Sequence, residues 1–315
     1  MKGLLRTRPA WSQFLVLISV CLVSVFVVSL AGLMVLSKTS GMSLTELGEM
    51  DKWDYSKPEI IFVLRGMQVI QFIGLFVIPV FLCARLFSTN TPQYLGFKMP
   101  ANAGYLLAGV AVMIVSLPLI TLLGELNARV TLPAWFGKAE KDAGRAIEAL
   151  LSRHTIKDLL INIVCIAALA AVGEELLFRG IGQRLLIKMF KSPMAGIVVS
   201  AILFSALHMQ FYGFLPRFAL GVFLGIMYWY SGSLWVAIIA HFVYDALMLI
   251  LVYLKPEMIN DDTGVSLNAL AMAGAVSAAL VFLAIRWMVK NNTTRYEEVY
   301  APDAVPDNPF NRHDI

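Results

Sequence analysis

Within otherwise apolar sequence between Ala167 and Ala246, the chain carries the ionisable set Glu174, Glu175, Arg179, His208, His241 and Asp245. A charge at membrane depth is costly unless it is paired or faces water, so residues of this kind mark a functional site by default. Carboxylates and imidazoles are also the groups that most often activate water and move protons in catalysis. The set therefore points to chemistry carried out inside the membrane.

The spacing assigns provisional roles. In Gly173-Glu174-Glu175-Leu176-Leu177-Phe178-Arg179-Gly180 the arginine follows Glu175 by one helical turn, where the two can close a salt bridge. Glu174 is rotated by about 100° from its neighbour and is left to face a cavity. One carboxylate is thus free for structure and the other for chemistry. Further on, Phe204 and His208 share a helical face, as do His241 and Asp245. Glu174 and His208 lie equally far from Lys191, and an antiparallel hairpin turning there sets them at one depth. His241 enters at a similar level, about 14 Å into the helix that starts near Ser233.

Apolar helices must position this set. Of the 315 residues, 59% are hydrophobic and 15% charged, and the apolar runs are long enough to cross a bilayer. The expected fold is all-α, a polytopic transmembrane helix bundle of about eight spans. They run near 11–36, 60–86, 101–123, 157–183, 194–209, 214–230, 234–254 and 266–288. Lys2, Arg6 and Arg8 before the first run resemble a signal-peptide n-region, but Trp11 to Leu36 is too long for a cleaved core. Residues 138–154 place Ala143, Ala146, Ile147, Leu150 and Leu151 on one stripe, the pattern of a helix lying on the membrane surface. The tail from Asn291 is polar and reads as flexible. Four regions follow: 1–154 with the first spans and the surface helix, 155–254 as catalytic core, 255–290 with the last span, and the tail 291–315.

The side holding both termini collects Lys2, Arg6, Arg8, Arg85, Lys98, Arg184, Lys188, Lys191, Arg286, Lys290 and Arg295, which predicts that it faces the cytosol. The opposite side carries Glu46, Glu49, Asp51 and Asp54, and later Asp261 and Asp262. The expected location is the cytoplasmic (inner) membrane, multi-pass. The net charge of +4 is small and its cations are scattered, so no nucleic-acid partner is indicated. Cys21, Cys83 and Cys165 lie in apolar runs without paired spacing and read as inert thiols.

At these residues the chain resembles the CPBP family of intramembrane proteases, which includes CAAX prenyl protease 2 and the lysostaphin resistance protein A-like (Abi) proteins. The likeness rests on Glu-Glu-x-x-x-Arg at Glu174, Glu175 and Arg179, Phe-x-x-x-His at Phe204 and His208, and His-x-x-x-Asp at His241 and Asp245. It implies hydrolysis of a peptide bond near the cytosolic face, with Glu174 and His208 activating water and His241 and residue 245 supporting the oxyanion. Glu175, Arg179 and Phe204 take supporting places. A carboxylate in apolar surroundings is a stronger base than one in water, which suits the first role. Many members have asparagine where this chain has Asp245, and an ionised carboxylate donates no hydrogen bond. Asp245 is therefore a protonated donor, a partner fixing the tautomer of His241, or a metal ligand. Zinc at Glu174, His208 and His241 is the alternative cofactor, but the compact His-Glu-x-x-His arrangement is absent and the metal-free reaction is preferred.

The expected partners are a peptide or membrane-anchored protein substrate and the lipid bilayer. A rival class is a non-catalytic immunity or partner-binding membrane protein, or a proton-coupled carrier whose route Arg65, Gln68 and Gln71 would line. No internal repeat of the transporter kind is visible.

Overall fold

The computed structural model describes residues 2–131, 133, 136–259 and 266–292. Among them no strand occurs. Lipid offers nothing to hydrogen-bond with, so apolar segments satisfy their own backbone as helices. We number the main ones α1 (Ala10–Ser40), α2 (Pro58–Phe87), α3 (Gly104–Val115), α4 (Leu117–Ala128), α5 (Phe136–Leu151), α6 (Ile156–Phe190), α7 (Pro193–Leu207), α8 (Phe214–Ser231), α9 (Leu234–Leu254) and α10 (Leu267–Lys290).

Six of the described helices are long and apolar enough to cross a membrane, or seven if the bent pair α3–α4 is one span. The shorter apolar α7 completes the correspondence with the eight predicted segments. The pair α3–α4 bends by 42° where Pro118 enters α4 and withholds a backbone donor. Ser277 of α10 repairs the break: its hydroxyl donates to the Val115 carbonyl at 2.5 Å and accepts from the Leu119 amide at 3.3 Å.

The segment expected to lie on the membrane surface forms α5. Ala149 and Leu150 are buried in a cluster with Trp53, Ile60 and Leu64, while Lys141 and Arg145 stay exposed. The predicted flexible tail and Asp261 and Asp262 lie outside the described residues, except that Asn291 and Asn292 close α10. Cys21, Cys83 and Cys165 are unpaired.

The site depends most on the hairpin of α6 and α7. It reverses at Lys191, which takes a left-handed conformation with φ 51°, and Ser192 caps α7 by accepting from the Ala195 amide at 3.3 Å. The two helices then nearly touch, because a Cβ on Gly196 would lie 2.6 Å from the Ile187 backbone nitrogen. Within α6 the winding loosens to π-helix at Ile163–Ala168 and again at Leu176–Gln183, directly after the paired glutamates. Such bulges are frequent at functional sites, and apolar spacing alone predicts a uniform helix here. Backbone cannot yield as a side-chain tip can, so Gly196→Val should destabilise the protein by roughly 1–3 kcal/mol. Thermal unfolding in detergent checks this, and an unchanged midpoint would contradict the close approach.

Candidate active site

Glu175 is fully buried and forms the fixed point of the site. Its Oε1 accepts from Nη1 of Arg179 at 2.7 Å and from Nδ1 of His241 at 2.9 Å. Arg179 is equally buried and also donates to the Gly221 carbonyl of α8 at 3.0 Å. One ion pair thereby joins α6, α8 and α9. The expected Glu175–Arg179 bridge is present; the bond from Glu175 to His241 has no signature in sequence, because 66 positions separate the partners.

Phe204 of α7 packs among these charges. The Arg179 guanidinium carbon lies 4.7 Å from its ring centroid, within cation–π range. Its ring also meets His208 at 5.0 Å and His241 at 6.2 Å, edge to face in both cases. The aromatic residue of the Phe-x-x-x-His motif thus separates and aligns the two imidazoles.

Glu174 stands apart from this clamp. One of its oxygens lies 3.7 Å from Nε2 of His208 and the other 3.9 Å from Nε2 of His241. Both distances exceed a direct hydrogen bond. Nδ1 of His208 is 2.7 Å from the Phe204 carbonyl oxygen, an atom that only accepts, so this nitrogen carries the hydrogen. In neutral His208 the Nε2 lone pair therefore faces Glu174. Asp245 approaches His241 from the other side, Oδ2 to Nε2 at 3.3 Å. Because Glu175 already holds Nδ1, Asp245 meets the nitrogen that faces the cavity.

All four predicted catalytic residues, with Phe204, line one cavity of about 520 Å³. Glu174, His208 and Asp245 are partly open to it, with 14%, 29% and 27% of their side chains exposed, whereas His241 is buried. Glu175 and Arg179 stand behind the wall. Ile147 and Leu151 of α5 and Met248 and Val252 of α9 line the far reach, so the cavity extends toward the membrane side on which α5 lies. Of Arg65, Gln68 and Gln71, only Gln68 lines this cavity.

Arg217 of α8 is absent from the predicted site, yet it is the only Lys or Arg among the cavity's described lining residues. It donates to the Gln210 carbonyl at 2.7 Å and to the Gln210 side chain. A cation inside the apolar run 214–230 is the signal that could have found it. Among the described residues, no group of three or more His, Cys, Asp or Glu has the arrangement to hold a metal ion.

Residues 156–247, which hold this whole constellation, match the family model for Rce1-like proteins, described as type II CAAX prenyl endopeptidase Rce1-like. This segment is therefore similar to the Rce1-like family. A curated relative, the uncharacterized protein YpbD of Bacillus subtilis (strain 168), is 29% identical over 136 residues. The match spans 42% of this chain and 63% of that protein. No solved structure matches. The Rce1-like segment begins at the start of α6 and ends in α9, so α1 to α5 lie outside it although α5 supplies part of the cavity wall.

Removing one partner of a buried pair leaves the other charge stranded. Arg179→Leu should therefore cost roughly 3–5 kcal/mol. Denaturation in detergent measures this, and a loss no larger than that of an exposed pair such as Arg129–Glu125 would contradict the clamp.

Proposed function

We propose that the protein is an intramembrane endopeptidase that hydrolyses a peptide bond of a membrane-associated peptide or protein, with Glu174 and His208 activating the water. The observation that carries this reading is the 3.7 Å gap between the Glu174 carboxylate and the bare Nε2 of His208 at the wall of a cavity. A water hydrogen-bonded to both groups fits that spacing. The similarity of residues 156–247 to the type II CAAX prenyl endopeptidase Rce1-like family supports the reaction class.

The reaction then runs as follows. The Glu174 carboxylate takes a proton from the water as its oxygen attacks the scissile carbonyl carbon. The carbonyl π electrons move onto oxygen, and a tetrahedral oxyanion forms. Asp245 as an ionised carboxylate would repel that charge, so the donor is His241, as an imidazolium giving its Nε2–H. Glu175 fixes this ring through Nδ1, and Asp245 flanks Nε2 until the oxyanion forms. When the intermediate collapses, the C–N bond breaks and the proton held by Glu174 passes to the leaving amine, directly or by way of His208. Water is consumed and no other co-reactant is required.

Sidedness follows from charge. The loops and ends on the side of the termini carry Lys2, Arg6, Arg8, Lys98 and Lys191 and, among the described residues, no Asp or Glu. This supports an inner-membrane protein with both ends in the cytosol. The cavity then extends toward the opposite face, which disfavours a cytosolic prenylated CAAX tail as substrate relative to a peptide held in the bilayer. A C-terminal reporter active only in the cytosol should be active, and a silent reporter with intact protein would reverse the orientation.

The decisive assay is cleavage of a fluorogenic peptide library by the purified protein, wild type against Glu174→Gln, each with and without a chelator. Proton abstraction by a positioned base accounts for about 10²–10⁴-fold in rate, so the variant should lose at least that much while remaining folded. Chelator should leave the wild type unchanged. Undiminished turnover in Glu174→Gln would sink the assignment, and chelator-sensitive activity would transfer Glu174, His208 and His241 to zinc ligation.

A further inference from the structure

A second groove lies on the outer side of α2 and α6, apart from the active-site cavity. It has a volume of about 710 Å³ and is polar at one end and apolar along its length. Its polar groups are Arg153, Thr155, Lys157 and Asp158 around the start of α6, and Arg65 two turns into α2. Apolar walls flank Arg65 on α2, with Phe62 one turn before it and Val69 one turn after it, and continue along Ile161 and Cys165 of α6. Val69 and Cys165 lie about 15 Å along their helices, well into the hydrocarbon region.

The polar end is built rather than incidental. Arg65 has only 15% of its side chain exposed; its Nη2 donates to Asp158 at 2.8 Å and its Nε to Asn162 at 3.1 Å. Thr155 secures Asp158 by donating to it at 2.6 Å, and Asn162 donates to the Leu150 carbonyl at 2.6 Å. The guanidinium is thus held on one edge, and among the described residues its Nη1 has no hydrogen-bond partner. Neither Arg153 nor Lys157 has a carboxylate within salt-bridge distance among those residues. With one carboxylate against three cations, the end of the groove carries an excess of two positive charges. The parallel N-termini of α2 and α6 add partial positive charge at the same place.

We infer that this groove binds an anionic glycerophospholipid, its phosphate at Arg65, Arg153 and Lys157 and an acyl chain along Phe62, Val69, Ile161 and Cys165. A free phosphate would satisfy the cations but leave the apolar length of the groove without a partner, and a zwitterionic lipid would not use the excess charge. The inference is independent of the peptidase reading.

The test is native mass spectrometry of the full-length protein in a non-ionic detergent, titrated with phosphatidylglycerol, phosphatidylcholine or inorganic phosphate. Phosphatidylglycerol should be retained more tightly than phosphatidylcholine. The variant Arg153→Gln/Lys157→Gln, which changes two exposed side chains, should weaken its retention by about tenfold. Lys98→Gln/Lys290→Gln, an equal charge loss elsewhere, should leave retention unchanged. Equal retention of both lipids, equal weakening by the two double variants, or binding of inorganic phosphate that displaces phosphatidylglycerol would each overturn the assignment.

Discussion

The buried contact of Glu175 with Arg179 and His241 is the constraint on which the site depends. A buried ion pair is held by the further hydrogen bonds that its charged groups make. Here the Gly221 carbonyl accepts from Arg179 and the His241 ring bonds Glu175 Oε1, whereas Glu175 Oε2 and Arg179 Nε have no hydrogen-bond partner among the described residues. Because the partners come from α8 and α9, these bonds fix the positions of three helices. Once His241 is held through Nδ1, its other nitrogen must face the cavity beside Glu174 and Asp245. The division of labour between adjacent glutamates follows: the buried one orients, and the cavity-facing one is left for chemistry.

The second constraint is the close α6–α7 hairpin. Short turns join antiparallel helices at matched depths, so the equal separations of Glu174 and His208 from Lys191 bring their side chains within 3.7 Å. Phe204 then contributes twice, through its ring to both histidines and through its carbonyl to Nδ1 of His208. A backbone carbonyl fixes the imidazole tautomer without adding another charge to the cluster.

Much of this was legible in the sequence because the strongest signals were local. Apolar runs gave the helices, the i, i+4 spacing gave Glu175–Arg179, and symmetry about Lys191 gave the meeting of Glu174 with His208. What escaped was non-local or geometric. The bond from Glu175 to His241 joins distant segments, and the π-helical winding at Leu176–Gln183 leaves no periodic trace in a short apolar stretch. Arg217 carried the same signal as the motif residues, a charge inside an apolar run, but it lies outside the family-like spacing. Arg65 looked like a possible wall of a transport route until its partners Asp158 and Asn162 showed it facing a different groove.

The central claim is that Glu174 and His208 act on one water, and a double-mutant cycle on cleavage rate tests it most directly. Groups acting as a unit are strongly non-additive. Glu174→Gln and His208→Ala should each abolish most of the turnover, and the double variant should be little worse than the more damaged single. If the two losses multiplied instead, the residues would be acting independently and the shared-water account would be wrong.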